Sequence, residues 1–229
     1  MISKSLATYP SWMTGGCMSR ASAILLSLLA LLVFGAAMAA PAFASPEWWV
    51  SGNPLSGSEK LAGSPTVVKP FVIASSAFKI ECSKVGLVGG VIEQTNKNIL
   101  KSFEFSSCIV VGNTKCEVVS FKTEPLNFPL QGEKGNLKLN FQPTSGSLVA
   151  LITIKEIGAT CSAKGTHKLT SGPKSGMVCN YPAVETESIE HELQFGEGSG
   201  SEVALDGNAA TFTGVIKFSL ESGSKWSAR

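Results

Sequence analysis

The chain has 229 residues, 19 basic against 17 acidic, so there is no basic excess to hold a phosphate backbone and nucleic acid is excluded as a partner. A single aspartate (Asp206) and two histidines (His167 and His191) leave too few oxygen or imidazole ligands for a calcium or zinc site. No metal and no cofactor is expected.

Residues 1–44 read as a secretory signal peptide. Lys4 and Arg20 precede the apolar stretch Ile24–Phe34, and Ala42-Phe43-Ala44 forms an A-x-A cleavage site before Ser45. Met18 is an alternative start that gives a more compact signal. The rival reading is an uncleaved anchor over Ala21–Ala40. The strongest apolar run is only Ile24–Phe34, which suits a signal better than a span. No lipoprotein cysteine follows it, and no later stretch reaches spanning length. Cleavage leaves 17 basic and 17 acidic residues in a mature chain of 185, enough for one domain that buries roughly 70% of its unfolded surface. The expected location is extracellular or cell-envelope, with no membrane span after cleavage.

Residues 45–66 are rich in Ser, Gly and Pro and form an arm, either flexible or held as an edge strand by Trp48 and Trp49. From residue 67 to 229 the pattern is short strands between turns. Phe71–Ile73 and Phe78–Cys82 lead to the Gly89-Gly90 break and the turn Asn96-Lys97-Asn98. Phe103 and Phe105 alternate with Glu104 up to Cys108, and Gly112-Asn113 turns into Cys116–Thr123. Pro125 and Pro129 confine the next segment to an edge or loop. Leu137, Leu139 and Phe141 alternate with polar neighbours, as do Ile189, His191, Leu193 and Phe195. Asp206-Gly207 is the strongest hairpin signal, and Phe212–Leu220 alternates after it. The absence of helical periodicity points to an all-β domain of roughly nine to eleven strands. The expected architecture is a disulfide-stabilised antiparallel β-sandwich, with a closed β-barrel as the alternative.

Export makes the cysteines candidates for disulfides. Cys82, Cys108, Cys116, Cys161 and Cys179 follow the signal, an odd number that leaves one thiol free or intermolecular. Cys108 and Cys116 flank Gly112 symmetrically, so a Cys108–Cys116 bridge is expected across the hairpin. For the second bridge Cys82–Cys161 is preferred to Cys161–Cys179, which makes Cys179 the odd thiol, buried and inert or available to a partner.

Phe78-Lys-Ile-Glu-Cys82, Phe103-x-Phe105-Ser-Ser-Cys108, Lys115-Cys116, the Gln142-Pro143-Thr-Ser-Gly146 turn, Ala159-Thr-Cys161 and Leu220-Glu-Ser-Gly-Ser-Lys-Trp226 form a familiar layout. It resembles a family of uncharacterised secreted β-rich proteins of actinobacteria, across most of residues 48–226. The resemblance implies four recurring cysteines at the positions of Cys82, Cys108, Cys116 and Cys161. It implies no activity, and Cys179 departs from it.

Trp48, Trp49 and Trp226 are the candidate binding surface, since exposed aromatics stack on sugars or fill partner pockets. The competing reading is that they staple the termini to the domain. Glu185–Glu192 gathers carboxylates around His191, but strand alternation puts His191 on the apolar face with Ile189 and Leu193, and turns Glu190 and Glu192 away. His167 reads as a loop histidine. A Ser-His-Asp triad would have to use Asp206, and no Gly-x-Ser-x-Gly elbow occurs. The expected function is a non-enzymatic binding or structural module, its partner a cell-envelope polysaccharide or protein. A carrier with an apolar cavity is the alternative, and a hydrolase assembled only in three dimensions is third.

Overall fold

The computed structural model describes residues 45–229 except 134, 159, 173–174, 183–185 and 197–198. The signal peptide expected over residues 1–44 lies outside the described residues, as does Glu185 of the acidic run. Nineteen strands occur among the described residues. They begin with β1 (Trp48–Val50), β2 (Asn53–Pro54), β3 (Ser58–Lys60), β4 (Thr66–Ala74), β5 (Lys79–Val88), β6 (Val91–Glu93) and β7 (Ile99–Leu100). Next come β8 (Ser102–Val110), β9 (Cys116–Thr123), β10 (Leu126–Asn127), β11 (Leu130–Glu133), β12 (Asn136–Pro143) and β13 (Leu148–Glu156). The last are β14 (Gly165–Ser171), β15 (Met177–Tyr181), β16 (Glu190–Phe195), β17 (Val203–Leu205), β18 (Asn208–Ser219) and β19 (Trp226–Ala228). Ten run five residues or more, and the rest are short pieces that complete the edges.

Eight antiparallel strands close on themselves in the order β17-β14-β13-β9-β8-β5-β4-β18, because β17 pairs with both β14 and β18. The molecule is therefore a closed β-barrel with outer strands, and the two-sheet sandwich is corrected to its alternative. The physical cause is the Asp206-Gly207 turn. Both residues have positive φ, 51° and 81°, which matches a two-residue hairpin and folds β18 back onto the three-residue β17. Closure removes the sheet edges that a sandwich would expose.

The twelve-residue β18 serves two circuits. Its start pairs with β17 and its second half with β16, while β4 runs along its other side. From β16 the pairing continues through β15, β12, β10, β7 and β6 to β3, and Leu61 just past β3 bridges Leu220 just past β18. The outer strands thus also return to β18. Gly214 stands where the β18–β4 register shifts. A Cβ there would lie 2.6 Å from the Phe71 ring, so the close approach requires glycine.

One continuous aromatic core runs through both circuits. Phe105 stacks on Phe121 at 4.2 Å between centroids, Phe71 packs on Phe105, Phe195 and Phe212, and Phe103 and Phe128 pack on Phe141. Each buried ring contributes roughly 1.5–3 kcal/mol relative to exposure. The arm over 45–66 is not loose, since it supplies β1, β2 and β3. β1 pairs with β19 in register Trp48↔Ala228 to Val50↔Trp226, which ties the two ends of the described chain together. Among the described residues no helix is long and apolar enough to cross a membrane.

Candidate functional site

Two disulfides join Cys82 to Cys108 and Cys116 to Cys161. The expected pairings, Cys108–Cys116 and Cys82–Cys161, are corrected. The β8–β9 register sets Ile109 opposite Glu117, so the hairpin centres on Asn113 and not on Gly112, and the two cysteines fall out of line. Cys108 instead faces Cys82 directly across β5 and β8. Cys116, at the start of β9, reaches Cys161 in the segment after β13, the strand that pairs with β9 on its other side. Cys179 is free and fully buried on β15, between Leu139 of β12 and Phe195 of β16. Burial pushes its thiol far above the ordinary range. The reading of Cys179 as an intermolecular link therefore has no surface to act through.

The proposed aromatic surface is also corrected. Trp48 and Trp226 are 2% and 1% exposed, with ring centroids 5.6 Å apart, and Trp48 Nε1–H donates to Asn98 Oδ1. They hold β1 and β19 against the core because two large rings bury more apolar surface there than at an exposed site. Trp49 is partly exposed, but the Arg229 guanidinium lies over its ring at 4.0 Å.

His191 lies on the apolar face of β16 with Leu193 and Phe195, as strand alternation implies, but Ile189, just before the strand, is exposed and does not join that face; Glu190 and Glu192 lie opposite Ser219 and Lys217 of β18. Its Nε2–H donates to the Trp226 carbonyl, Nδ1 is buried without a partner, and the rings of Tyr181 and Trp226 pack on it. Burial lowers its pKa below the ordinary 6.5, opposed more weakly by the backbone at Trp226 and Ser188. An unfolded chain protonates this residue near pH 6.5, the folded chain only at lower pH, so acid favours unfolding. Stability should be flat above about pH 7 and fall as pH drops through and below 6.5, by at most about 1.4 kcal/mol per pH unit for this one proton. His191→Gln should lessen the fall. Equal pH dependence of the two unfolding midpoints would refute the assignment.

His167 is on strand β14 and not in a loop. Its Nδ1 lies 2.6 Å from Asp206 Oδ2 and its Nε2 2.9 Å from the Ala163 carbonyl. Asp206 Oδ1 also accepts from the Lys168 backbone N–H. Desolvation is the largest single effect and would raise the Asp206 carboxyl, but the hydrogen bonds from Lys168 and His167 and their nearby charge together outweigh it and hold the carboxyl below its usual range. This is the histidine–carboxylate pair of a triad, but neither ring nitrogen is left to activate a nucleophile. It works as a clamp between β14 and the β17–β18 turn.

The barrel interior is filled by the phenylalanines already named, and the void among Trp48, Phe128, Phe141 and Phe218 is about 10 Å³. That is room for no more than one water, so this void, among the described residues, gives the carrier reading no support. The recesses lie outside. β18 exchanges β17 for β16 between Ala210 and Gly214. This leaves a cleft of about 490 Å³ lined by Gly196, Gly200, Ser201, Ala210, Thr211, Phe212 and Thr213. A second cleft of about 410 Å³ is lined by Gln142, Pro143, Gly146, Ser147, Ser171 and Gly172. The Gly172 N–H donates to Glu202 O and the Ser171 N–H to Ser147 O, so backbone bonds lock the three connecting segments together.

Neither lining carries a charge. Hydroxyls, one side-chain amide, backbone groups and a little apolar surface can accept a neutral polar ligand or a polypeptide loop. Ser201 is not a free nucleophile, since its hydroxyl donates to Val178 O and accepts from the Val178 N–H. No single residue in either cleft carries a sequence signal. The Ser/Gly-rich turns 145–147 and 199–201 reveal themselves only once the strands bring them to the rims of the two clefts. No family model, no curated protein and no solved structure matches this chain.

Proposed function

We propose that the chain is an exported, non-enzymatic module of the extracellular space or cell envelope that holds a polysaccharide or protein partner at its two uncharged clefts. The observation that carries this reading is the pair of disulfides on a closed barrel whose interior is already full. Disulfides persist in oxidising compartments, and a filled, cross-linked barrel offers rigid surface and no reaction chamber. The reading includes membership of the secreted actinobacterial group, which the residue pattern between Trp49 and Trp226 supports.

The test is expression of the whole chain in a secreting host, followed by binding of the secreted product to purified cell wall, isolated envelope polysaccharide and envelope protein. Saturable binding to one of them is expected. Thr211→Arg and Ser147→Arg, at exposed positions in the two linings, should weaken it by about tenfold or more without changing the unfolding midpoint. Retention of the chain inside the cell, or no binding to any envelope fraction, would overturn the reading.

A further inference from the structure

Five of the nine exposed large apolar side chains among the described residues lie on one outer face of the barrel: Ile109, Val111, Val119, Leu151 and Ile157, on or beside β8, β9 and β13. Register arranges this face in rows. Glu81, Ile109, Glu117 and Lys155 stand side by side across β5, β8, β9 and β13. Two residues further along each strand, toward the turn, stand Lys79, Val111, Lys115 and Ile157. The Val111 N–H donates to Lys79 O and the Ile157 N–H to Lys115 O. Alternation puts both rows on the outer surface, where all eight side chains are exposed except the half-buried Glu81. Among the described residues the five charged ones make no salt bridge.

The two rows complement each other. A twofold axis lying in the contact plane, across the strands and midway between the rows, sets row one of one molecule on row two of another. Glu81 then meets Lys79 of the second copy, Ile109 meets Val111, Glu117 meets Lys115, and the Lys155 stem covers Ile157. Every carboxylate finds an ammonium, and each contact occurs twice by symmetry. Facing sheets keep their strand directions within about 30°, which preserves the row match near the axis. We propose that this face is a homodimer interface in which the Ile109 row of one copy packs on the Val111 row of the other.

Sedimentation equilibrium of the secreted chain tests it. A dimer is expected in the micromolar range, weakened by added salt. Glu117→Lys or Lys115→Glu alone should weaken the dimer about tenfold or more, since each sets like charges together twice. The double variant Lys115→Glu/Glu117→Lys should restore it, because the exchanged charges again face each other across the axis. Ile109→Asp should abolish it. Measured well below the parent's dissociation constant, where every variant is monomeric, the unfolding midpoints should be equal, which separates dissociation from misfolding. A monomer at about 100 μM, a dimer indifferent to both single reversals, or a double variant as weak as the singles would each overturn the proposal.

Discussion

Reducing both disulfides is expected to destabilise the folded chain by about 7 kcal/mol, which leaves it unfolded or close to its midpoint at room temperature. The bridges close separate loops, with sequence separations of 26 for Cys82–Cys108 and 45 for Cys116–Cys161. In the chain-entropy model loops of these lengths contribute about 3.5 and 4 kcal/mol. The loops do not overlap, so the two contributions should nearly add. A domain of ordinary stability has about 5–15 kcal/mol in all. Denaturant titration of oxidised and reduced protein measures the difference, and a shift of less than about 2 kcal/mol would show that the core holds without its bridges. The connectivity can be checked at the same time. Tryptic cleavage after Lys101, Lys115 and Lys155 isolates Cys108, Cys116 and Cys161 on different peptides. The non-reduced digest should link the peptide of Cys82 to that of Cys108 and the peptide of Cys116 to that of Cys161. Cys179 should resist alkylation until the chain unfolds, because its sulfur has no exposed surface.

Those pairings show where sequence reasoning stops. Alternation and turn residues exposed the all-β class, the Asp206-Gly207 hairpin and the inward side of His191, because each depends on neighbours within a few residues. The β8–β9 hairpin was equally visible, but a turn centred on Asn113 instead of Gly112 put Cys116 opposite Val110 and freed Cys108 for Cys82. A one-residue error in a turn centre is enough to reassign a bridge. Closure was hidden for a similar reason. It rests on β17, three residues long, pairing on both sides, and three residues carry no periodic pattern. The clefts were less visible still. They form where β18 changes partner, a fact about three strands at once, and their linings are ordinary turn residues. The tryptophans misled because composition marks an aromatic as a binding candidate, while only the β1–β19 pairing decides that Trp48 and Trp226 face inward.

Asn98 belongs to the same class of residue, plain in the sequence and decisive in the fold, and its replacement should cost nearly as much as a disulfide. It lies in the turn between β6 and β7, yet it is 0% exposed. Its Oδ1 accepts from Trp48 Nε1–H at 3.1 Å and from the Glu93 backbone N–H at 2.9 Å. Its Nδ2 donates to the Phe128 carbonyl and to Asn96 Oδ1, both at 3.0 Å. All four hydrogen-bonding positions of the amide are used, and they tie the N-terminal strand, the β6–β7 turn and the segment before β11 to one point. Asn98→Ala leaves the indole N–H of Trp48, the amide of Glu93 and the carbonyl of Phe128 buried without partners. At about 1–3 kcal/mol for each orphaned group, partly relieved by relaxation, the expected loss is about 3–5 kcal/mol. Asn98→Asp separates polarity from shape. Its carboxylate still accepts from Trp48 and Glu93, but it meets two further acceptors at Phe128 O and Asn96 Oδ1. Protonation turns one oxygen into a donor, so the Asn98→Asp variant should regain part of its stability on acidification, where the parent chain loses some through His191. Opposite pH slopes in the two proteins, measured by denaturant midpoints under non-reducing conditions, would assign the loss to the donor side of the amide. Parallel slopes would mean that the side chain only fills space, and that the termini are held by the tryptophan rings alone.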